Sequence, residues 1–202
     1  MIADTPEEWD VVDTKERFHG HLFRIVTDTV RMPHEEVADR DYVVHPGAVA
    51  VLALDDQDRV LMIRQYRHPT RMLLWELPAG LRDVEGEALV ATAARELAEE
   101  AGYRADTWYT LIDLRSSPGM TDERIRVFLA RGLSKIPEEE NGFVHRHEEV
   151  DMPVEWVPLA DAVEKALMGM IHNSPAVAGI LAAYAASVEG FALLRPADAP
   201  EV

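Results

Sequence analysis

"TAARELAEEAG", Thr92–Gly102, is the stretch on which the reading of this chain turns. On a helix, Glu96, Glu99 and Glu100 stand at i, i+3 and i+4, on one face, where like charges repel. Arg95 is the one nearby cation, and no Lys or Arg follows at the helical positions that would relieve the cluster. Two readings meet here. Exposed glutamates are good helix formers and make ordinary solvated acidic faces. Gathered carboxylates are also hard oxygen ligands for Mg²⁺ or Mn²⁺, whose shell is completed by waters and substrate phosphates. The flanks favour the metal. Leu89, Ala93, Leu97 and Ala101 form an apolar stripe at four-residue spacing, and Gly102 is placed to be the C-cap. The turn "ELPAG" (Glu76–Gly80) ahead of the helix can bring backbone carbonyls close.

Working outward, residues 1–17 are polar and read as loose. "HLFRIVTDTVRM" and "DYVVHPGAVAVLALD" are β-branched runs and read as strands. "DDQD" (Asp55–Asp58) turns the chain into "RVLMIRQYRH", which suggests a hairpin. "LLWELPAGLRDVEGE" reads as a short strand and a Gly/Asp-rich loop. "WYTLIDLRSS" and "RIRVFLARGL" are strands around "SPGMTDE", and "SKIPEEENGFVHRHEEVD" is a long polar loop, a kind that is often functional. "MPVEWVPL" is a last strand. "LADAVEKALMGM" and "SPAVAGILAAYAASV" read as closing helices, the second with Ser174 as N-cap and Pro175 at N1. The layout is mixed α/β, with residues 1–45 as an arm and 46–202 as the main domain.

The chain has 202 residues, 48% hydrophobic and 28% charged, enough for a sizeable core. It has no cysteine, hence no disulfide framework and no thiolate metal site. The net charge of −17, from 20 basic and 37 acidic residues, disfavours nucleic acid or an anionic membrane as partner. A phosphate substrate would be repelled too, unless a metal or local arginines invert the sign. The acidic "MIADTPEEWD" lacks the basic, then apolar, pattern of a signal peptide. "AVAGILAAYAASV" is too short to span a bilayer. A cytoplasmic location is the expectation.

Gly80, Glu87, Arg95-Glu96-Leu97, Glu99-Glu100 and Gly102-Tyr103 resemble the Nudix box: Gly, five residues, Glu, seven residues, Arg-Glu, an aliphatic, any residue, Glu-Glu, any residue, Gly, an aliphatic. Six residues lie between Gly80 and Glu87, a one-residue insertion in the loop, and Tyr103 replaces the last aliphatic. "RQYRHP", "LWELPAG", "SPGMTDER", "HEEVDM" and "NSPAVAGILA" extend the resemblance to the ADP-ribose pyrophosphatase branch of that family, particularly its actinobacterial members, over roughly residues 18–195. The resemblance implies a Nudix fold, a mixed sheet between helices, with an N-terminal β arm that exchanges across a homodimer. It implies Mg²⁺-dependent (or Mn²⁺-dependent) hydrolysis of ADP-ribose to AMP and ribose 5-phosphate. Two alternatives stay open. One is a Nudix hydrolase of another nucleoside diphosphate sugar or a dinucleotide. The other is a non-catalytic ADP-ribose sensor, although sensors typically lose box carboxylates and this chain keeps Glu87, Glu96, Glu99 and Glu100.

The same resemblance assigns roles. Glu96, Glu99 and Glu100 are the expected metal ligands, with the carbonyl of Ala79, or else Gly80, as a further one. Glu87 and Arg95 form an orienting ion pair; simple pairing on the helix surface is the plainer alternative. The base that activates water is expected at Glu149, with Glu148 second and His145 and His147 behind them; an ordinary acidic loop is the alternative. Arg64 and Arg67 are expected to meet the phosphates, Arg67 the better placed, although alternating exposed cations are common on strands. Glu123 is expected to accept from a ribose hydroxyl beside the turn at Pro118 and Gly119. Met120 joins it as a substrate contact, with core packing as the alternative. Trp9, Phe18 and Phe23 are arm candidates for adenine, each weighed against core or dimer packing.

Overall fold

The computed structural model describes residues 2–137, 139 and 152–201, and divides into two compact units. Residues 1–46 and 115–123 make up the first; 47–114 and 124–202 make up the second.

The first unit is an antiparallel meander of β1 (Val11–His19), β2 (Arg24–Arg31) and β3 (Val37–Val44). The expected loose N-terminus is therefore only partly so: Val11–His19 pairs with β2 along its length. Every residue of β1 is exposed, so backbone pairing and cross-strand polar contacts hold it rather than burial. Thr14 donates to Asp28 at 2.7 Å, and Arg17 Nε donates to Thr27 Oγ1 at 2.7 Å. The turn Ser117–Thr121 joins this unit, where Val43 N–H donates to the Met120 carbonyl at 2.8 Å.

The second unit carries the core. Its five-stranded sheet has the order β11-β8-β9-β4-β7, with β4 (Ala48–Ala53), β7 (Ala79–Leu81), β8 (Tyr103–Leu114), β9 (Ile125–Lys135) and β11 (Arg195–Pro196). β4 and β9 are parallel; the other pairs are antiparallel. A smaller sheet has the order β10-β5-β6, from β5 (Arg59–Arg67), β6 (Met72–Glu76) and β10 (Val154–Pro158). Two expectations change here. "DYVVHPGAVAVLALD" is two strands, broken at His45–Gly47, where Gly47 takes φ +89°. The turn at Asp55–Asp58 joins strands of different sheets, with an isolated bridge between Leu54 and Val60 at its base, and so is no ordinary hairpin.

Alternation along β4 sorts the helices. Val49, Val51 and Ala53 pack with Ala93 and Leu97 of α1 (Leu89–Ala101). Ala50, Leu52 and Leu54 pack with Ala162 of α2 (Leu159–Leu167) and with Ala176, Ile180 and Ala183 of α3 (Ser174–Val188). Both sheet faces are covered, which is why β4 reads as a continuous apolar run. Leu97 is fully buried, and truncating it to Ala should cost about 2–5 kcal/mol. α3 is capped by Asn173, one residue before the expected Ser174; the Asn173 side chain accepts from Ala176 N–H at 3.0 Å. Among the described residues, no helix is long and apolar enough to cross a membrane.

Candidate active site

The edge strand β7 and the helix α1 build the acidic site together. β7 pairs with β4 in the register Ala48–Leu81, Val49–Gly80 and Ala50–Ala79. That register turns Gly80 toward α1. A Cβ on Gly80 would lie 2.0 Å from Glu96 Cδ, so only a glycine lets the Glu96 carboxylate rest against the strand backbone. One turn further along, Glu100 Oε2 accepts from Ala79 N–H at 2.8 Å. Glu96 and Glu100 are 9% and 8% exposed, so both carboxylates are held in the packed layer. Gly102 ends the helix in the left-handed conformation at φ 69°, as expected.

Arg95 gathers the carboxylates that the sequence left without a relieving cation. Its Nη1 lies 2.7 Å from Glu96 Oε1 and 3.4 Å from Glu99 Oε2. Its Nε and Nη2 reach the two oxygens of Glu87 at 3.4 and 3.3 Å. Thr92 Oγ1 donates to Glu87 at 2.8 Å. The acidic face is thus not un-neutralised: one guanidinium spans three carboxylates. Its hydrogen bonds, with that of Thr92, hold the Glu87 carboxyl below its ordinary range, and the bonds to Glu87 push Arg95 upward. Burial pushes Glu96 the other way, above the ordinary carboxylate range; the Glu99 charge adds to this and Arg95 opposes it.

Among the described residues, no three His, Asp or Glu side chains stand together as a metal cluster; Arg95 takes Glu96 and Glu99 instead. The donor set nonetheless fits a hard divalent cation. It consists of carboxylate oxygens on one helix face, one of them buried and destabilised as an anion, against a backbone that Gly80 leaves bare. Ala79 N–H donates to Glu100, which brings the Ala79 backbone, whose carbonyl is a candidate ligand, against the acidic face.

The remaining candidates fall elsewhere. Arg67 donates from Nε and Nη2 to both oxygens of Glu76 at 2.9 and 2.7 Å, a bidentate pair on a carboxylate only 2% exposed. Glu76 was missed as a partner; its signal was one acidic residue closing an otherwise apolar strand. Arg64 is exposed and its guanidinium stacks 5.6 Å from the Trp75 ring centre. In the first unit, Glu123 accepts from Ser116 Oγ and faces His45 Nδ1 at 3.4 Å. Met120 is exposed, which rules out core packing within its unit. Trp9, Phe18 and Phe23 are exposed likewise. Glu148, Glu149, His145 and His147 lie outside the described residues.

With this geometry in view, comparison with known proteins gives the class. The NUDIX domain model matches residues 44–177, and the chain belongs to the Nudix family. It is similar to an ADP-ribose pyrophosphatase of Mycobacterium tuberculosis, 45% identical over 191 residues, covering 95% of this chain and 90% of that protein. It is also 39% identical to the methanol dehydrogenase activator of Bacillus methanolicus, over 63% of this chain and 69% of that one. A crystal structure titled as an ADP compounds hydrolase shares the fold, with a TM-score of 0.74 at 19% identity, over 94% of this chain and 99% of that one. The chain is a Nudix hydrolase.

Proposed function

We propose that this enzyme hydrolyses the diphosphate of ADP-ribose to AMP and ribose 5-phosphate with Mg²⁺, or Mn²⁺ in its place, acting in the cytoplasm as a homodimer. The observation that carries the reading is the 45% identity, spanning 95% of the chain, to a protein named for that activity. The site's chemistry supports it. Glu96, Glu99 and Glu100 would hold the cation, which when bound offsets phosphate charge and polarises the P–O bonds. Glu96 is fixed by Gly80, Glu100 by Ala79 N–H, and Arg95 with Glu87 orients the face. Glu149, or Glu148 in its place, would take the proton from the attacking water. Arg64 would meet the phosphates; Arg67 would do so while also securing Glu76. Glu123 and Met120 would contact the ribose end. The exposed apolar residues of β1, Val11, Val12 and Phe18, support an arm that pairs with a second copy.

The test is a product assay with Mg²⁺ and a panel of ADP-ribose, ADP-glucose, GDP-mannose, NADH and diadenosine polyphosphates. Preferential release of AMP from ADP-ribose is expected. Preference for another member keeps the Nudix chemistry and replaces the substrate. Binding of ADP-ribose without turnover moves the protein to the sensor reading. Glu149→Gln should lower kcat about 10²-fold or more while ADP-ribose still binds; an unchanged rate hands the role to Glu148.

A further inference from the structure

The C-terminal segment crosses the same face of the sheet that carries the acidic site. β11 pairs with β8, and Thr110 Oγ1 donates to the Pro196 carbonyl at 2.9 Å. Ala197 packs into the cluster that includes Ala93 and Leu97 of α1, so the segment lies on the α1 side. Arg126 of β9 lies on that face too, in step with Phe128, and is only 2% exposed. It donates to the Ala199 carbonyl at 2.6 Å and to the Pro200 carbonyl at 3.3 Å. Its Nε and Nη2 hold Asp113 at 2.7 and 3.0 Å, and Arg195 holds the same carboxylate at 2.9 Å.

The segment then reaches β7. Glu201 Oε1 accepts from Arg82 Nη1 at 3.0 Å. Arg82 stands two residues after Gly80, and its N–H continues the ladder by donating to the Gly47 carbonyl at 3.1 Å. Its side chain runs over Gly47, where a Cβ would lie 3.1 Å from Arg82 Cδ. Gly47 thus leaves the lane through which Arg82 meets the tail.

A buried arginine with a carboxylate and two backbone carbonyls on it fixes chain position closely, because leaving any of those groups unpaired is costly. The pairings place one end of the tail on β8 and β9 and the other on the residue that leads β7 into the loop before α1. We propose that the 195–201 segment is a brace: Arg126 sets its path, and the Arg82–Glu201 pair holds the end of β7 so that Gly80 keeps its fit to Glu96. Arg82, Glu201 and Arg126 are positioning residues. This rests on the hydrolase reading of the acidic site, and it depends on no particular substrate.

Glu201→Gln and Arg82→Gln remove the ion pair at a partly exposed position and should leave the protein folded. Each is expected to lower kcat roughly tenfold, since small misplacements of a catalytic group have effects of that order or larger, with KM within about twofold. The reversed pair, Arg82→Glu with Glu201→Arg, should recover most of the loss. Amide hydrogen exchange without substrate supplies the second readout: both single variants should exchange faster across 79–88, with β4 and β9 unchanged. Unchanged kcat together with unchanged exchange in both single variants would overturn the brace. So would a lower Tm with kcat unaltered. If ADP-ribose proves not to be a substrate, the exchange result stands on its own and separates the two failures.

Discussion

α1 and α3 pack on opposite faces of one sheet, and each comes close through a glycine, yet the two glycines do different things. On the α3 face, Gly179 lets the helix settle on Leu77, Val127 and Leu52, all apolar. On the α1 face, Gly80 belongs to the strand, and what it admits is the carboxylate of Glu96. α3 buries Ala176, Gly179, Ile180 and Ala183; α1 buries Glu96 and Glu100 beside Ala93 and Leu97. One face serves packing, while the other holds acidic groups, among them Glu96, whose charge burial works against. Buried carboxylates that a folded protein retains against that cost make this face the candidate functional side.

The same small substitution on the two faces should therefore separate activity from stability. Gly80→Ala puts a methyl where Glu96 lies and should displace that side chain, lowering kcat by about 10²-fold or more with the far-ultraviolet circular dichroism unchanged. Normal turnover in that variant would remove the Gly80–Glu96 fit from the site. Glu100→Gln keeps size and an acceptor for Ala79 N–H but removes the charge; steady-state assays should show a loss of about 10²-fold in a folded protein. Near-normal rates would take Glu100 out of the metal set. Gly179→Ala is the contrasting case. Its methyl would meet Leu77 Cδ1 at 3.0 Å and Val127 Cγ1 at 3.3 Å. Overpacking of about 1–3 kcal/mol, offset in part by roughly 1 kcal/mol of helix propensity, should lower stability by about 1 kcal/mol in urea unfolding. Its kcat per folded molecule should stay at the wild-type value.

The smallest effect is a pH dependence of stability. Burial holds Glu96 above its ordinary carboxylate range, so between the unfolded and folded values the native state binds the extra proton. Its contribution favours folding below the ordinary range and is lost as pH rises through the raised value. Glu96→Gln, compared with the wild type in EDTA, should therefore gain more in Tm at pH 7 than at pH 4. A larger gain at pH 4 would mean that Arg95, and not burial, dominates the environment of Glu96.

The expected helix, its stripe and its C-cap agree with the structure because they depend on neighbours three and four residues apart. Ala93 and Leu97 are fully buried, as their spacing requires. The break at His45–Gly47 does carry a local signal, the Pro46-Gly47 turn dipeptide, but the β-branched runs on both sides of it read as one strand. Arg67 shows the same limit at a side chain. Its charge suggested a phosphate contact; its ion pair with Glu76, nine residues away in sequence, forms because the β5–β6 pairing brings the two strands side by side. Arg126 meets the Ala199 carbonyl, 73 residues away in sequence, only because the C-terminal segment crosses β9.

By itself the sequence determined the box: its long fixed spacing puts Glu96, Glu99 and Glu100 on one helix face and a glycine ahead of them, which local geometry alone guarantees. The tertiary structure decided what each group faces. Gly80 meets Glu96, Ala79 N–H meets Glu100, and Arg82 meets Glu201 because sheet register and chain crossing bring distant segments together. Those approaches are set by hydrogen-bond pairing and burial across the whole unit, and no window of sequence contains both partners of the widest of them.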